Sequence, residues 1–552
     1  MASKLKIIPL GGLNEIGKNL TVYEYGDDII VVDCGLGFPD EEMYGVDIVI
    51  PDFSYLVQNQ NKIRAVFLTH GHEDHIGGLP YLMREINVPL YTTRLTAGLI
   101  ELKLEEFGLK EKVKITTLEA GERIKAGCFS IELIHVNHSI ADSVALAIKT
   151  PIGTLIHTGD YKIDTTPIEG EMINLTRLGE LGKEGVLMLL SDSTNVEKPG
   201  YSESEKKVGV RFDALFKDCD KRIIVTTFAS NVHRVQQIIN SAAKNNRKVA
   251  ITGRSMENIM RVAMELGYMD VPKDTLIDIN MINTLPKNKV AIITTGSQGE
   301  SMSALYRMAF SGHRQVEINA GDRVIISASA IPGNETTISR VINELFMKGA
   351  EVIYDRLEEL HVSGHACREE LKMMLALTKP KFFMPLHGEQ RHLRTHAELA
   401  KNMGIDPKNI IIGDIGRIVE VTRKDVKLGG TVPSGKVLVD GTGVGDVGSV
   451  VLRDRRHLAQ DGMVVVVMTL SAEDASLVSG PDIVTRGFVY VKESDVLLEE
   501  LKRVTLETLD SCENQRITDW ATIKAKVKAN LSGYLYKTTK RSPMILPVIM
   551  EV

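Results

Sequence analysis

Three histidines and an aspartate fall within six residues in the string Thr69-His70-Gly71-His72-Glu73-Asp74-His75. Neutral imidazole and carboxylate are ligand types that suit zinc or manganese, and a cluster this dense can supply halves of two adjacent metal sites. The residues before it, Ala65-Val66-Phe67-Leu68, read as a buried strand, and Ile76-Gly77-Gly78-Leu79 opens a helix-like stretch running to Ile86. The cluster therefore occupies the loop at a strand's end. In a locally extended loop His70, His72 and Asp74 project to one side, and the turn at Asp74-His75 brings the last imidazole beside them.

The elements around this loop are short apolar strands separated by Gly, Asp and Asn turns: 5–9, 20–25, 29–34, 65–68, 130–136, 145–150, 153–158 and 186–191. Helical patterns are fewer, so residues up to about 205 read as an αβ sandwich built on sheets. Polar residues recur where these strands end: Asp33, His138, Asp160 in His157-Thr158-Gly159-Asp160, and Asp192 in Ser191-Asp192-Ser193-Thr194. Each alone is an ordinary turn or cap residue. Their shared placement is what makes them candidates.

From about residue 206 strands and helices alternate regularly, which is the signature of a parallel sheet wound by helices. Ligands of such sheets bind beyond the carboxyl ends of the strands, and helix N-termini there leave N–H groups for phosphate. The loops in question carry Ser230, Asn231, His233 and Arg234, then Gly253, Arg254 and Ser255, then residues 296–300 and Pro332-Gly333-Asn334-Glu335. Together they read as an extended anion-binding rim. Next, His361-Val362-Ser363-Gly364-His365 runs into a helix expected over 367–378, a second place for a phosphate with a titratable imidazole beside it. The strand 381–385 then delivers His387. His392 and His396, four apart on the following helix, read as surface or packing residues.

Residues 440–448 satisfy GxGxxG, but Ser449-Val450-Val451-Leu452 reads as a strand where a dinucleotide fingerprint requires a helix, so a hairpin loop or linker is expected. Asp440 is a candidate ligand of a structural cation. The last unit combines strands at 463–470 and 483–491, an amphipathic helix with Leu497, Leu501 and Val504 on one face, a helix around 520–531 and a strand near 543–552. It holds no chemical cluster and reads as an assembly module. The expected domains are 1–205, the inserted unit 206–358, a return to the first domain at 359–430, a linker at 431–455 and the C-terminal unit 456–552.

The 552 residues, 43% apolar and 25% charged, suit a globular chain with more than one core. The net charge of −6 argues against a general basic coat for nucleic acid, although a local groove or bound cations can supply the attraction. The five cysteines are scattered without CxxC spacing, which fits reduced thiols, a cytoplasmic setting and metal bound through N and O. No apolar run approaches the ~20 residues that span a bilayer, and Pro9 breaks the N-terminal one, so neither membrane nor signal peptide is expected.

The series Asp33, His70-x-His72-x-Asp74-His75, His138 and Asp160 resembles the ligand series of the metallo-β-lactamase fold. The inserted α/β unit, with Asp192 before it and His365 and His387 after it, resembles the β-CASP nuclease subgroup. Within that subgroup the domain order, the strings His361-Val362-Ser363-Gly364-His365 and Pro385-Leu386-His387-Gly388-Glu389, and the C-terminal unit are similar to the bacterial ribonuclease J family over essentially the whole chain. The resemblance implies an αββα sandwich interrupted by a parallel β-CASP domain and followed by a small α+β domain.

It also implies two divalent metal ions, Zn²⁺ or Mn²⁺. His70, His72 and His138 would hold one, Asp74, His75 and His387 the other, and Asp160 would bridge them, with Asp33 hydrogen bonding behind the ligands. His365 would donate a proton to the leaving 3′ oxygen with Asp192 as its partner, and His361 to His365 would grip substrate phosphates. The implied activity is a 5′-to-3′ exonuclease preferring 5′-monophosphate RNA, with endonuclease activity, in mRNA decay and rRNA maturation. Implied partners are RNA, copies of the same chain in a homodimer or homotetramer through the C-terminal domain, a paralogous subunit and other RNA-degradation proteins. A DNA-processing β-CASP nuclease and a non-catalytic RNA-binding subunit are the alternative readings.

Overall fold

Two sheets stack around one apolar layer. The structure is a computed structural model that describes residues 4–40, 42–168, 170–217, 219–300, 302–330, 334–354, 360–489 and 495–552. The first sheet runs, edge to edge, Val426–Thr431, Arg417–Val421, Leu5–Gly11, Leu20–Tyr25, Asp28–Val32, Ile63–Phe67, Leu90–Thr92 and Ile115–Thr117. The second runs Phe382–Leu386, Val186–Asp192, Gly153–His157, Val144–Thr150, Phe129–His135 and Arg123–Ala126. Alternate residues of both turn inward: Leu5, Ile7, Ile30, Val32 and Phe67 from the first meet Ile131, Leu133, Leu146, Leu155, Met188 and Phe382 from the second. Outer faces bury against helices, as Ile134, Ala145, Ile156 and Leu189 do against the helices Leu175–Glu184 and Arg368–Thr378. The strand pattern predicted a sandwich built on sheets, and its layering is the αββα order that the resemblance implies.

The insertion leaves and re-enters at neighbouring strands. Val186–Asp192 pairs in parallel with Phe382–Leu386, with Asp192 opposite Leu386. Between them lies a six-stranded sheet in the order Leu276–Ile277, Lys248–Thr252, Val290–Thr294, Ile223–Thr226, Arg323–Ile326 and Glu351–Tyr354, parallel throughout. Helices at Val232–Lys244, Arg254–Glu265, Ala304–Ala309 and Glu335–Met347 follow its strands. Pro332, Gly333 and the expected boundary at 358 lie outside the described residues.

Contacts divide the chain into a unit of Met1–Phe38 with Ile48–Val437 and a unit of Pro39–Asp47 with Leu438–Val552. In the second, a sheet ordered Leu477–Arg486, Met463–Leu470, Met544–Glu551 carries the helices Asp495–Asn514 and Trp520–Thr539. Val464, Val466, Met468 and Leu470 point to one side at period two and meet Ile523, Val527, Leu531 and Leu535, spaced four apart on the last helix. Asp519 caps that helix by accepting from Thr522 N at 2.8 Å.

Three expectations change in this unit. Residues 449–461 form a helix rather than a strand. The GxGxxG stretch is nevertheless a hairpin, with Val439 opposite Val444 and Asp440 opposite Gly443, and not a turn leaving a parallel strand. The cation expected at Asp440 gives way to Arg455, whose Nη2 donates to Asp440 Oδ2 at 2.6 Å. A guanidinium already neutralises that carboxylate. The strand expected from Ile483 begins at Leu477, and Val491 lies outside the described residues.

Candidate metal centre

Asp33 organises the loop. It follows the strand Asp28–Val32 with φ +62, a left-handed conformation, and its amide donates to Phe67 O at the end of the adjacent strand. Its carboxylate accepts from Thr69 N at 2.8 Å, Thr69 Oγ1 at 2.9 Å and His75 Nδ1 at 2.7 Å. That ties both ends of the histidine string to one group and turns His75 Nε2 outward, where it lies 3.2 Å from Asp160 Oδ2. A carboxylate holding the second ring nitrogen in this way fixes tautomer and orientation.

The loop is not extended throughout. His72 is the N-cap of a single helical turn, Glu73–Ile76, and Gly77-Gly78 separate it from the helix Leu79–Glu85. Asp74 therefore reaches the site from a helical turn rather than by strand alternation. The outcome is still convergence. His70 Nε2 and His138 Nε2 each lie 3.1 Å from His72 Nδ1, while Asp74, His75, Asp160 and His387 form a second group. Asp160 stands between the groups: Oδ2 is 3.7 Å from His70 Nε2 and 3.8 Å from His138 Nε2, and Oδ1 is 2.8 Å from His387 Nδ1.

These donor sets fit divalent cations. Burial holds His70 and His138 well below the usual imidazole range and His72 down to about 4, so all three are neutral with lone pairs available. His138 donates its Nδ1–H to Gly364 O at 2.8 Å, which leaves Nε2 bare and facing His72. In the second group burial opposes charge on His75, but Asp160, Asp74 and Asp33 outweigh it and raise its pKa, and Asp160 and Asp74 likewise raise His387 to about 10. A field that attracts protons so strongly attracts a cation equally well. Among the described residues His387 Nε2 is buried with no hydrogen-bond partner, 3.4 Å from Asp74 Oδ2, and its residue sits at φ +50.

Beside the second group, His365 Nδ1 meets Asp192 Oδ2 at 2.8 Å, and Asp192 Oδ1 accepts from Thr194 N at 2.9 Å and Oγ1 at 2.7 Å. Burial opposes protonation of His365, but Asp192 and Asp160 together hold its pKa above the ordinary value. His365 keeps 21% of its side chain exposed and Asp192 only 1%, so the imidazole is the member of the pair that a substrate can reach. Asn195, which the sequence reading passed over, donates Nδ2–H to Ser363 Oγ at 2.7 Å and to His365 O at 3.0 Å. Its only signal in the sequence is its place three residues after Asp192.

The anion-binding expectations change. Arg234 is wholly buried and paired with Glu205, so it is not on an exposed rim. Asn231 is buried and spends its side chain capping the helix by accepting from Arg234 N. Ser230 and His233 are half-buried, Gly253 bends at φ +114 into the next helix, and Arg254 and Ser255 are exposed. The helix after His365 is closed to phosphate: Cys367 N donates to Glu370 Oε2, Arg368 N to Lys198 O and Glu369 N to Gly200 O. His361 and Val362 face Arg234. Ser363 retains a hydroxyl proton to donate, since its oxygen accepts from Asn195 Nδ2 and His365 N. His396 is a packing residue, bonded to Ser193 Oγ at 3.0 Å and set against Phe383.

Sandwich, insertion and joined ligand groups define a metallohydrolase of the metallo-β-lactamase superfamily, whose family model matches residues 13–169. The models of the ribonuclease J beta-CASP domain, the RNA specificity domain of Zn-dependent metallo-hydrolases and the ribonuclease J C-terminal domain match residues 220–345, 350–411 and 450–552. The chain is 46% identical to ribonuclease J of Thermus thermophilus, with 99% of this chain and 95% of that one covered. It is 43% identical to ribonuclease J2 of Bacillus subtilis, with 99% of each covered. A solved protein of unknown function from Enterococcus faecalis shares the fold at TM-score 0.53 and 18% identity, over 76% of this chain and 100% of that one. The chain belongs to the ribonuclease J family and is a hydrolytic ribonuclease. Membership of the superfamily implies divalent metal binding. Among the described residues no helix is long and apolar enough to cross a membrane.

Proposed function

We propose that the chain is a cytoplasmic two-metal ribonuclease that degrades RNA from the 5′ end, prefers a 5′ monophosphate and also cuts internally, in mRNA decay and rRNA maturation. The observation that carries this reading is the joining of two ligand groups by Asp160 with the His365–Asp192 pair at 2.8 Å beside them. His70, His72 and His138 would hold one divalent ion, Zn²⁺ or Mn²⁺, and Asp74, His75 and His387 a second, with Asp160 within reach of both, and the bound ions would supply Lewis-acid stabilisation of phosphoryl charge and activation of water. His365 donates a proton to the leaving 3′ oxygen as the P–O3′ bond breaks, and Asp192 orients it. The oxygen of water joins phosphorus, so the downstream fragment carries a 5′ phosphate.

Ser363 is the group we assign to substrate phosphate. A 5′ hydroxyl end would forfeit charge-assisted hydrogen bonds of ~1.5 to 3 kcal/mol each, and a pocket fitted to one phosphate would exclude a triphosphate by size and charge. Digestion of one end-labelled RNA bearing 5′ monophosphate, triphosphate or hydroxyl, beside matched DNA and with Zn²⁺ and Mn²⁺ compared, tests this. The monophosphate end is expected to be degraded at least about tenfold faster, and Ser363→Ala to weaken binding of all three. Equal exonucleolytic rates on monophosphate and triphosphate ends would leave an internal-cleavage enzyme as the better account.

We assign association of copies to the C-terminal unit. On the sheet face away from its helices, Val465, Val484 and Leu546 form one row across three strands, with Val484 42% and Leu546 49% exposed. A row of this kind is suited to burial against a second copy. Removing residues 438–552 is expected to reduce the mass seen by light scattering to that of a monomer without removing bound metal. An unchanged mass per particle, corrected for the deletion, would place the interface elsewhere.

A further inference from the structure

One buried charge outside the metal centre is bonded to the segment that carries His365. Arg234 lies on the helix Val232–Lys244 of the inserted unit. Its Nε donates to Glu205 Oε1 at 2.6 Å and its Nη2 to Glu205 Oε2 at 2.9 Å. Nη1 donates to Ser327 O and to His361 Nδ1, both at 3.0 Å, and Nη2 reaches Val362 O at 3.5 Å. All five N–H groups are engaged. Glu205 marks where the chain enters the insertion, Ser327 directly follows the strand Arg323–Ile326 of its sheet, and His361 and Val362 mark where the chain leaves. Ser327 Oγ also holds Leu360 O at 2.6 Å.

The held segment continues into Gly364, whose carbonyl accepts from His138, and into His365 beside Asp192. We propose that Arg234 is a positioning residue for hydrolysis: by fixing His361 and Val362 to the inserted sheet it sets where His365 stands at the metal centre. The inference rests on His365 acting as the proton donor. A buried ion pair is weakly justified by stability alone, because apolar side chains of similar volume often replace one without loss. What apolar side chains cannot supply is a rigid fork that joins three segments, and a lysine ammonium, a point charge, cannot supply it either. Arg234→Lys keeps a charge opposite Glu205 and gives up the reach to His361 and Val362.

The test uses the full chain carrying Arg234→Lys, and the charge-free pair Arg234→Met with Glu205→Gln in case the lysine variant folds poorly. His365→Ala is the reference. Each is assayed on an RNA linkage with the natural 3′ oxygen and on the same linkage with sulfur in that bridging position. A 3′ thiolate leaves without the proton that a 3′ oxygen takes from His365. Misplacement of the donor by about 1 Å costs on the order of 10²-fold. Arg234→Lys is therefore expected to lower kcat by about that factor on the oxygen linkage, with KM within about threefold and metal content unchanged, and to return to within about threefold of the parent on the sulfur linkage. His365→Ala should be rescued in the same way. Rescue of His365→Ala without rescue of the Arg234 variants, or loss of metal and activity in parallel, would show a merely structural role and overturn the inference. An unchanged kcat in the folded double variant would overturn it too. Failure of sulfur to rescue His365→Ala would overturn the donor role itself and this inference with it.

Discussion

Hydrolysis by a chain carrying His72→Ala is expected to fall by about 10³-fold or more, because one side chain then leaves the first ligand group and the paired chemistry of the two groups is lost. His72 is the hub of its group: the approaches of His70 and of His138 both end on its Nδ1 at 3.1 Å. It is half-buried, unlike the wholly buried His70, and makes no part of the sheet core, so the strands on either side stay packed without it. Asp74→Ala should act as strongly through the second group, where this carboxylate helps raise His75 and His387. Elemental analysis and RNA cleavage should fall together while circular dichroism stays that of the parent. A fully active, metal-free chain carrying both substitutions would sink the metallohydrolase reading.

The convergence of these residues was legible because most are polar residues at the end of an apolar run, and strand ends of two stacked sheets meet at one edge. His70, His138, Asp160 and His387 can be placed by that logic without knowing how the loops bend. Asp74 was expected to converge by strand alternation and does so from a helical turn instead; both routes bring it beside His75 and His387, and only the backbone at His72 distinguishes them. Arg234 was misread because its loop and helix start look the same whether they face water or core. The helix it occupies buries Val232, Val235, Gln236, Ile238 and Ile239 as well, so a charge there is enclosed and must find a partner in Glu205, a residue remote in sequence.

Two other misreadings have the same origin in long-range context. Val450-Val451 suggests a strand from β-branching, yet residues 449–461 form a helix that buries no residue at all, so neither propensity nor a core face announces it. Asp440 looked like a ligand because the pairing partner Arg455 lies on that unforeseen helix. Asn195 could not be foreseen for a simpler reason. Its contacts to Ser363 and His365 cross the whole insertion, and nothing local sets it apart from a turn residue.

Gly364→Ala is expected to cost about 10²-fold in activity without unfolding the chain, and the cause is space rather than backbone freedom. A Cβ on residue 364 would stand 2.7 Å from Cε1 and Nδ1 of His138 and 2.8 Å from Ser139 N, nearer than real Cβ atoms approach. The ring, the amide or the 364 segment must therefore move. Whichever does, the 2.8 Å hydrogen bond from His138 Nδ1 to Gly364 O is disturbed, and with it the tautomer that leaves Nε2 bare for metal. Losing an outer partner of a ligating histidine costs 10- to 100-fold in metal affinity or activity as a rule of thumb, on the order of the displacement penalty for a misplaced catalytic group. The variant should need more metal for half-maximal rate and still fall short of the parent at saturation, because His365 is the next residue. Gly533→Ala is the control: it lies on the helix Trp520–Thr539 with nothing within 4 Å of the added carbon, and alanine is the better helix former. A Gly364→Ala chain with the parent's rate and metal requirement would mean that the carbonyl at 364 does not set the state of His138.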